Sequence, residues 1–259
     1  MDIATFRREM ATEGYALFPE QVPGSLLQRL RLDIPIHFRK CEAIQRRTGV
    51  GGEPGGVAHH VLGERDSLDE FLAMLFLDDY LQDYFAGKYI LNSFGAVDNL
   101  RDATARYEHG HRFHRDVRTY SGDFRLMVNM LVMVDSFTPE NGATRLVPGS
   151  HRSPERPTEP ELEARAVRAV GQAGGIVLFD SNLWHAAAPN LTQGPRKALT
   201  LTFSRPFVKP QMDYPRLLGE DFTDDPGVRQ VLGYNARVPK DHEQWYQPPE
   251  RRMYKPGQG

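Results

Sequence analysis

Short strand signals separated by tight-turn signals dominate residues 88–207. Runs rich in β-branched and aromatic side chains alternate there with Gly-containing turns such as Asn141-Gly142. Many strands in succession, without intervening helices, favour an antiparallel sandwich or barrel over a parallel α/β sheet. The predicted strands are 88–97, 112–120, 124–135, 143–147, 166–170, 175–180 and 197–205.

The chain on either side of these strands is predicted to be mainly helical. Apolar residues recur there at helical spacing, and Pro35 is expected to interrupt the second helix because it lacks a backbone donor. Ser67 fits an N-cap, Glu70 fits its capping-box partner, and Gly87 fits the end of that helix. The predicted flanking elements are helices at 3–13, 24–47, 67–86 and near 225–233, and a short strand at 14–18.

A chain of 259 residues can bury a core in one domain of ordinary size. We expect one mainly β domain with its core at about 88–207, a helical N-terminal support at 1–87 and a C-terminal extension at 208–259. Residues 49–63 are rich in glycine and are predicted to form a loop. That loop is either a lid over a functional site or an ordinary surface connection.

A His-x-Asp motif is the main candidate for chemistry. His114 and Asp116 lie two apart in a predicted strand, so both side chains are expected on the same face. His185 follows a later predicted strand and is placed to join them. Two imidazoles and one carboxylate form a facial triad that leaves coordination positions of a metal open. The motif alone is weak evidence, because a chain with nine histidines contains such pairs by chance.

Three further polar residues are candidates for holding a bound carboxylate. Arg196 follows His185 by eleven residues and opens a predicted strand, and its planar guanidinium can bind a carboxylate bidentately. Asn92 and Asn129 lie in apolar strand runs, where a buried amide needs partners. A bound cosubstrate is one such partner for each amide, and a backbone group inside the barrel is the alternative.

The chain resembles the phytanoyl-CoA dioxygenase family of iron(II)/2-oxoglutarate oxygenases. The resemblance rests on the His-x-Asp motif with its distal His and Arg, and on the segment NGATRLVPGSH at 141–151. Residues 6–18, which include Glu-Gly-Tyr, also resemble the start of the family's sequences. The resemblance implies a double-stranded β-helix, also called a jelly-roll.

The resemblance also implies a cofactor, two cosubstrates and a reaction. Fe(II) would bind His114, Asp116 and His185, with 2-oxoglutarate and O2 as cosubstrates. Arg196 would hold the far carboxylate of 2-oxoglutarate. The presence of Asp116 favours hydroxylation over halogenation, because halogenating relatives replace this carboxylate. Many relatives carry Ser or Thr where this chain has Ala187, so a hydroxyl from Thr200, Thr202 or Ser204 is expected to substitute for it.

Composition excludes several classes of partner. A net charge of −2 provides no basic footprint for nucleic acid. No apolar run approaches the ~20 residues that a membrane span needs, and the first residues lack the apolar stretch of a signal peptide. The single cysteine, Cys41, fits a reducing compartment. We therefore expect a cytoplasmic protein without nucleic-acid or membrane partners.

The residues near the motif leave the substrate open. Arg118, Arg125 and Arg205 can receive an anionic group, and Phe113 and Tyr120 can line an apolar wall. A small soluble metabolite, with anionic ones among the options, is favoured over a macromolecule. Two alternatives remain. One is a catalytically silent jelly-roll that binds a metal or small molecule, and the other is a cupin-type enzyme that does not use 2-oxoglutarate.

Overall fold

The computed structural model describes residues 1–50, 56–101 and 111–252. Within them, no helix combines the length and the apolar character that crossing a lipid bilayer requires. The described strands are β1 (Tyr15–Phe18), β2 (Val57–His59), β3 (Ile90–Asn99), β4 (Met127–Met133), β5 (Arg145–Leu146), β6 (Val167–Arg168), β7 (Ile176–Asp180), β8 (His185–Ala186) and β9 (Arg196–Ser204).

The strands form two antiparallel sheets. The large sheet has six strands in the order β1-β7-β4-β9-β3-β2, and the small sheet has three in the order β6-β5-β8. Neighbours in the sheets are far apart in the sequence, which is typical of a jelly-roll and excludes a simple meander. The mainly antiparallel architecture predicted from the strand signals is therefore confirmed.

Helices flank the sheets. The described α-helices are α1 (Ile3–Thr12), α2 (Gly24–Arg47), α3 (Ser67–Ala73), α4 (Asp78–Phe85), α5 (Glu159–Arg165), α6 (Tyr214–Leu218), α7 (Pro226–Val231) and α8 (His242–Trp245). Short 3-10 turns lie at Ser150–Arg152, Glu220–Phe222, Tyr234–Ala236 and Pro249–Arg251.

The large sheet buries a different core on each face, because successive side chains of a strand point to opposite sides. On the back face, residues such as Val128, Leu178 and Leu199 pack with Phe6 and Leu30 of the N-terminal helices in the main hydrophobic core. The front face contributes to a second, smaller core between the two sheets, made of Leu131, Met133, Phe137, Ala143, Leu146, Ala169, Val177, Phe179, Leu183 and Ala198. Polar residues that face the same interior create the candidate site.

Helix α2 runs through Pro35 without a break, so the predicted interruption is wrong. The buried stripe continues on both sides of the proline, from Leu30 and Ile34 to His37. The His37 ring lies 2.6 Å from a carboxylate oxygen of Asp66 in the neighbouring segment. Tertiary packing therefore holds the helix together despite the missing backbone donor.

The single helix predicted at 67–86 is two helices. The chain leaves the helical conformation between α3 and α4, where Leu75 and Leu77 have positive φ angles of 46° and 62°. Both side chains pack against the main core, and this burial offsets the backbone strain. The N-cap also differs from the prediction. Asp66 accepts the Leu68 backbone N–H, whereas the Ser67 hydroxyl donates to Asp33.

The structure differs from two further predictions. Residues 111–120 contain no regular strand, and only His114 forms a bridge, to His185. Part of the glycine-rich segment 49–63 is the edge strand β2, which pairs with β3. Residues 51–55 of that segment lie outside the described residues, and the lid hypothesis stays a prediction.

Candidate active site

Backbone pairing brings the two histidines of the motif together. In β8, His185 lies opposite Leu146 of β5. On its other side, the backbone N–H groups of His114 and His185 each donate to the other's carbonyl at 3.0 Å. The centroids of the two imidazole rings are 4.3 Å apart as a result. The small sheet thus positions both rings through main-chain hydrogen bonds.

Each histidine is held in the same tautomer. Nδ1 of His114 lies 2.9 Å from the carbonyl oxygen of Arg112, and Nδ1 of His185 lies 2.9 Å from that of Leu183. A carbonyl oxygen can only accept, so each Nδ1 carries a proton and, in the neutral imidazole, Nε2 is the nitrogen that can bind a metal. Burial and the nearby His185 lower the pKa of His114, which favours the neutral form that a metal ligand needs.

Asp116 completes a three-ligand cluster with these histidines. Its Oδ1 lies 3.6 Å from Nε2 of His114, and its Oδ2 lies 3.7 Å from Nε2 of His185. The ligand atoms of all three residues lie within 4.8 Å of one another. We call His114, Asp116 and His185 the triad. Two neutral imidazole nitrogens and one carboxylate fit a divalent metal ion such as Fe(II).

Arg196 carries a buried charge, and two of its nitrogens have no hydrogen-bonding partner among the described residues. The residue begins β9 opposite Asn99 and is only 3% exposed. Its guanidinium carbon lies 3.9 Å from the centroid of the Phe137 ring, and Nε and Nη1 have no partner among the described residues. Burial lowers the pKa of Arg196 to about 10, against the opposing effect of Asp135 and Asp98, so the group stays charged at neutral pH. A buried guanidinium with two nitrogens that lack partners fits an anionic ligand.

The triad and Arg196 line the same cavity. Its volume is about 350 Å³, and its wall combines the front face of the large sheet with β8. Thr144 and Ala187 lie in the same wall. A cavity of this size suits small ligands. The predicted metal site and the predicted carboxylate anchor are therefore brought to one place.

The two predicted asparagines are placed differently. Asn129 lines the cavity, and its Nδ2 donates to Oδ2 of Asp116 at 2.7 Å. Asn92 sits at a β-bulge in β3, between Leu91 and Ser93, and its amide faces the Lys209 carbonyl at 3.4 Å. The bulge leaves Ser93, and not Asn92, in the cavity wall. The structure does not bring Asn92 to the triad.

The candidate substrate contacts lie outside the cavity wall. Arg118 is exposed, and Phe113 packs in a small core with Val147, Leu162 and Ala186. The other candidates have partners of their own: Arg125 pairs with Asp180 at 2.9 Å, Tyr120 donates to the Arg152 carbonyl, and Arg205 donates to the Arg125 carbonyl. Four of these five residues lie in the stretch 111–125, which is not a regular strand, so the predicted alternation of faces does not apply to them.

Several residues of the cavity wall were not singled out by their sequence context. Asp98 lies at the end of β3, and burial raises the pKa of its carboxyl group despite Lys197 at 3.6 Å. His59 of β2 also lines the cavity, and burial lowers its pKa. His111 lies in the wall as well. Alternation along β3 could not have found Asp98, because Ser93, Gly95, Val97 and Asn99 line the cavity with a period of two and Asp98 is out of phase with them.

A family model and several relatives match this chain. Residues 94–198, which contain the triad and Arg196, match the model "Phytanoyl-CoA dioxygenase (PhyH)". A Mycobacterium tuberculosis protein, Rv1501, is 40% identical over 149 residues, which cover 57% of this chain and 55% of that protein. Dioxygenase cdmA of Talaromyces verruculosus is 31% identical over 144 residues, covering 51% and 47%. The chain therefore spans about half the length of these curated relatives.

Solved structures share the fold. The structure of EctD from S. alaskensis with bound Fe aligns with a TM-score of 0.66 and 18% identity, covering 89% of this chain and 87% of EctD. A second EctD structure, with 2-oxoglutarate and 5-hydroxyectoine, aligns with a TM-score of 0.63 and 19% identity over 79% and 76% of the two chains. These alignments confirm the jelly-roll fold expected from the sequence.

The family model and the named relatives agree with the arrangement of the residues. The matched range contains every residue of the triad together with Arg196. The resemblance seen in the sequence is confirmed over residues 94–198, which match the model of the phytanoyl-CoA dioxygenase family.

Proposed function

We propose that this protein is a non-heme iron(II)/2-oxoglutarate-dependent oxygenase that hydroxylates a small-molecule metabolite. One observation carries the proposal. A three-ligand cluster open to a cavity shares that cavity with a buried arginine whose Nε and Nη1 lack partners. The cluster fits a metal with open coordination positions, and the arginine fits the far carboxylate of a 2-oxo diacid.

The triad would hold Fe(II). The Asp116 carboxylate lies 3.6–3.7 Å from the Nε2 atoms of both histidines, so the three donors can converge on one ion. When bound, Fe(II) and 2-oxoglutarate supply the oxidising chemistry: O2 is consumed, succinate and CO2 are released, and one oxygen atom enters a C–H bond of the substrate. The protein contributes ligand geometry, cosubstrate binding and a space from which water is excluded.

Arg196 would bind and orient 2-oxoglutarate. Its position at the start of β9 is fixed by ladder pairing with β3, and its ring contact with Phe137 leaves the guanidinium edge for hydrogen bonds. Ala187 lies in the same wall but offers no hydroxyl. Thr200 has a hydroxyl in the cavity, engaged only by a 3.5 Å contact to the Gly95 carbonyl. Arg196 is therefore the principal anchor in the described wall.

The cavity favours a small substrate without a second strong anion. Among the described lining residues, Arg196 is the one arginine or lysine, and in this proposal it is occupied by the cosubstrate. The pKa values of His59 and His111 are both lowered by burial, so these rings are neutral at neutral pH. Apolar side chains such as Val57 and Met127 form much of the remaining described wall. A neutral metabolite with an apolar body fits these surroundings.

We also propose that the chain functions as one domain. Helices α1 and α2 pack on the back face of the large sheet in one continuous hydrophobic core. Helix α7 of the C-terminal extension contributes Val228 and Val231 to the same core. The β-core that carries the site thus depends on the flanking segments for its stability.

The proposal is tested by succinate release. The purified protein is incubated with Fe(II), 2-oxoglutarate and pools of metabolites, and succinate is measured together with products that have gained one oxygen atom. We expect iron-dependent succinate formation that a matching substrate stimulates. Iron binding without any turnover of 2-oxoglutarate would favour the cupin-type or silent alternative. Absence of metal binding would remove the oxygenase proposal altogether.

A further inference from the structure

One row of side chains across the large sheet lies beneath the triad. Phe179 of β7, Asn129 of β4 and Thr202 of β9 are direct cross-strand neighbours. All three line the cavity. The ring of Phe179 packs edge-on against His185 with centroids 4.9 Å apart. The same row therefore contacts one histidine and, through Asn129, the triad carboxylate.

The orientation of the Asn129 amide follows from its two partners. A carboxylate only accepts hydrogen bonds, so the group 2.7 Å from Oδ2 of Asp116 must be the Nδ2 of Asn129. The Oδ1 of Asn129 then faces Thr202, whose hydroxyl donates to it at 2.8 Å. Thr202 is β-branched and sits in a central strand, so its own side chain is restricted. Asn129 is 5% exposed, which leaves water little access to replace either bond.

Asp116 is the triad member with the least backbone support. The two histidines form a backbone bridge and donate from Nδ1 to main-chain carbonyls. Asp116 lies in an irregular stretch, and 35% of its side chain is exposed. A carboxylate in such a stretch can rotate unless another group holds it.

We propose that Asn129, fixed by Thr202, is a positioning residue that orients the Asp116 carboxylate and thereby sets the metal affinity of the triad. This inference rests on the proposed function, because it requires the triad to bind a metal ion. It assigns Asn129 to the metal ligand and not to the cosubstrate. It also commits the Thr202 hydroxyl to Asn129, so Thr202 is not the group that substitutes for the hydroxyl missing at Ala187.

The inference is tested by Co(II) binding to the full chain without cosubstrate. Calorimetry gives the affinity, and the visible absorption of the bound ion reports its coordination. Asn129→Leu should weaken binding roughly 10- to 100-fold and alter the absorption, as expected for a residue that supports a metal ligand. Thr202→Val should weaken it by a smaller factor, roughly 3- to 10-fold, because one neutral hydrogen bond is lost.

Matched variants separate positioning from general damage. Thr202→Ser keeps the hydroxyl, so its Co(II) affinity and absorption should match those of the original protein. Thr200→Val removes a hydroxyl from the same strand and the same cavity wall, but Thr200 does not bond Asn129, so Co(II) affinity should not change. Unaltered Co(II) affinity and absorption in Asn129→Leu or in Thr202→Val would overturn the inference. Failure of the original protein to bind Co(II) would overturn the proposed function, and this inference with it.

Discussion

Replacing Arg196 with methionine should strongly weaken binding of 2-oxoglutarate without destabilising the free protein. Methionine keeps much of the length and the contact with Phe137 but removes the charge. In the free protein the guanidinium is 3% exposed, with Nε and Nη1 unpaired, so it adds desolvation cost without full compensation. After the substitution, the two nearby carboxylates still have basic partners. Asp135 pairs with Arg31 at 2.8 Å, and Asp98 lies 3.6 Å from Lys197.

The magnitude of the effect follows from the burial of the guanidinium. Truncating one partner of a buried charge pair costs about 2–5 kcal/mol. At 1.4 kcal/mol for each factor of ten, the Kd for 2-oxoglutarate should rise about 30- to 4,000-fold. With the ligand at 100 times its original Kd, the original protein gains about 2.7 kcal/mol. For a chain of this size, that corresponds to an increase in Tm of roughly 5–11 °C.

Thermal unfolding and calorimetry measure both parts of this prediction. Co(II) is used in place of Fe(II) so that no turnover occurs, and 2-oxoglutarate is titrated in. The original protein should show the full increase in Tm. At the same concentration, the ligand should stabilise Arg196→Met by less than about 1 kcal/mol, so its Tm should rise much less. Without ligand, the Tm of Arg196→Met should equal or exceed that of the original protein.

Arg125→Met provides a control with the opposite pattern. Arg125 pairs with Asp180 at 2.9 Å, and both side chains are largely buried, with exposures of 24% and 11%. Its removal leaves a buried carboxylate with one fewer partner and should cost about 2–3 kcal/mol of stability. The affinity for 2-oxoglutarate should not change. An unchanged Kd in Arg196→Met, or a loss of stability in it as large as in Arg125→Met, would refute the reasoning.

Three further predictions concern other parts of the chain. Alanine at any one position of the triad should abolish metal binding, measured by elemental analysis of the purified protein, while circular dichroism remains that of the folded state; a variant with full metal content would remove its residue from the ligand set. Ala187→Ser should lower the Kd for 2-oxoglutarate roughly 3- to 10-fold by adding one hydrogen bond near Arg196, and calorimetry showing no gain would place Ala187 out of reach of the cosubstrate. Tyr84→Phe removes the buried hydroxyl that donates to Asp180 at 2.8 Å and should cost about 1.5–3 kcal/mol in urea unfolding; an unchanged midpoint would show that this bond contributes nothing net.

The local sequence pattern indicated a possible metal site, and the family resemblance turned it into a prediction of the triad. His114 and Asp116 are two residues apart, and this separation alone suggested a shared face. The structure brings them together by a different route, since the stretch around them is not a strand and His114 is held by one bridge to His185. The three residues could be singled out from their chemistry, their spacing and the family resemblance, whereas the contacts that support them depend on pairing between distant segments.

Features that depend on register could not be predicted. The contact between Asn129 and Asp116 requires β4 to lie under the motif, and the role of Thr202 requires β9 to pair with β4 in one particular alignment. Asn92 looked similar to Asn129 in its sequence surroundings. A one-residue bulge in β3 directs it away from the cavity, and nothing in the neighbouring residues signals that bulge.

Tertiary packing also overrode local propensity in the helices. Pro35 lies within a helix because its neighbours on the buried face are held on both sides. The helix predicted at 67–86 divides because Leu75 and Leu77 reach the core only when the backbone turns between α3 and α4. In both cases the decisive contacts come from segments far away in the sequence, beyond the reach of a local pattern.

The most direct test of the proposed site is an anaerobic titration of 2-oxoglutarate into the Fe(II)-loaded protein, followed by visible absorption. Chelation of Fe(II) by a 2-oxo acid produces a charge-transfer band that neither component shows alone. We predict a saturable band in the original protein, no band in His114→Ala, and a band in Arg196→Met only at far higher 2-oxoglutarate concentrations. Tight binding of Fe(II) without any band at saturating 2-oxoglutarate would contradict the assignment of this cavity as an iron and 2-oxoglutarate site.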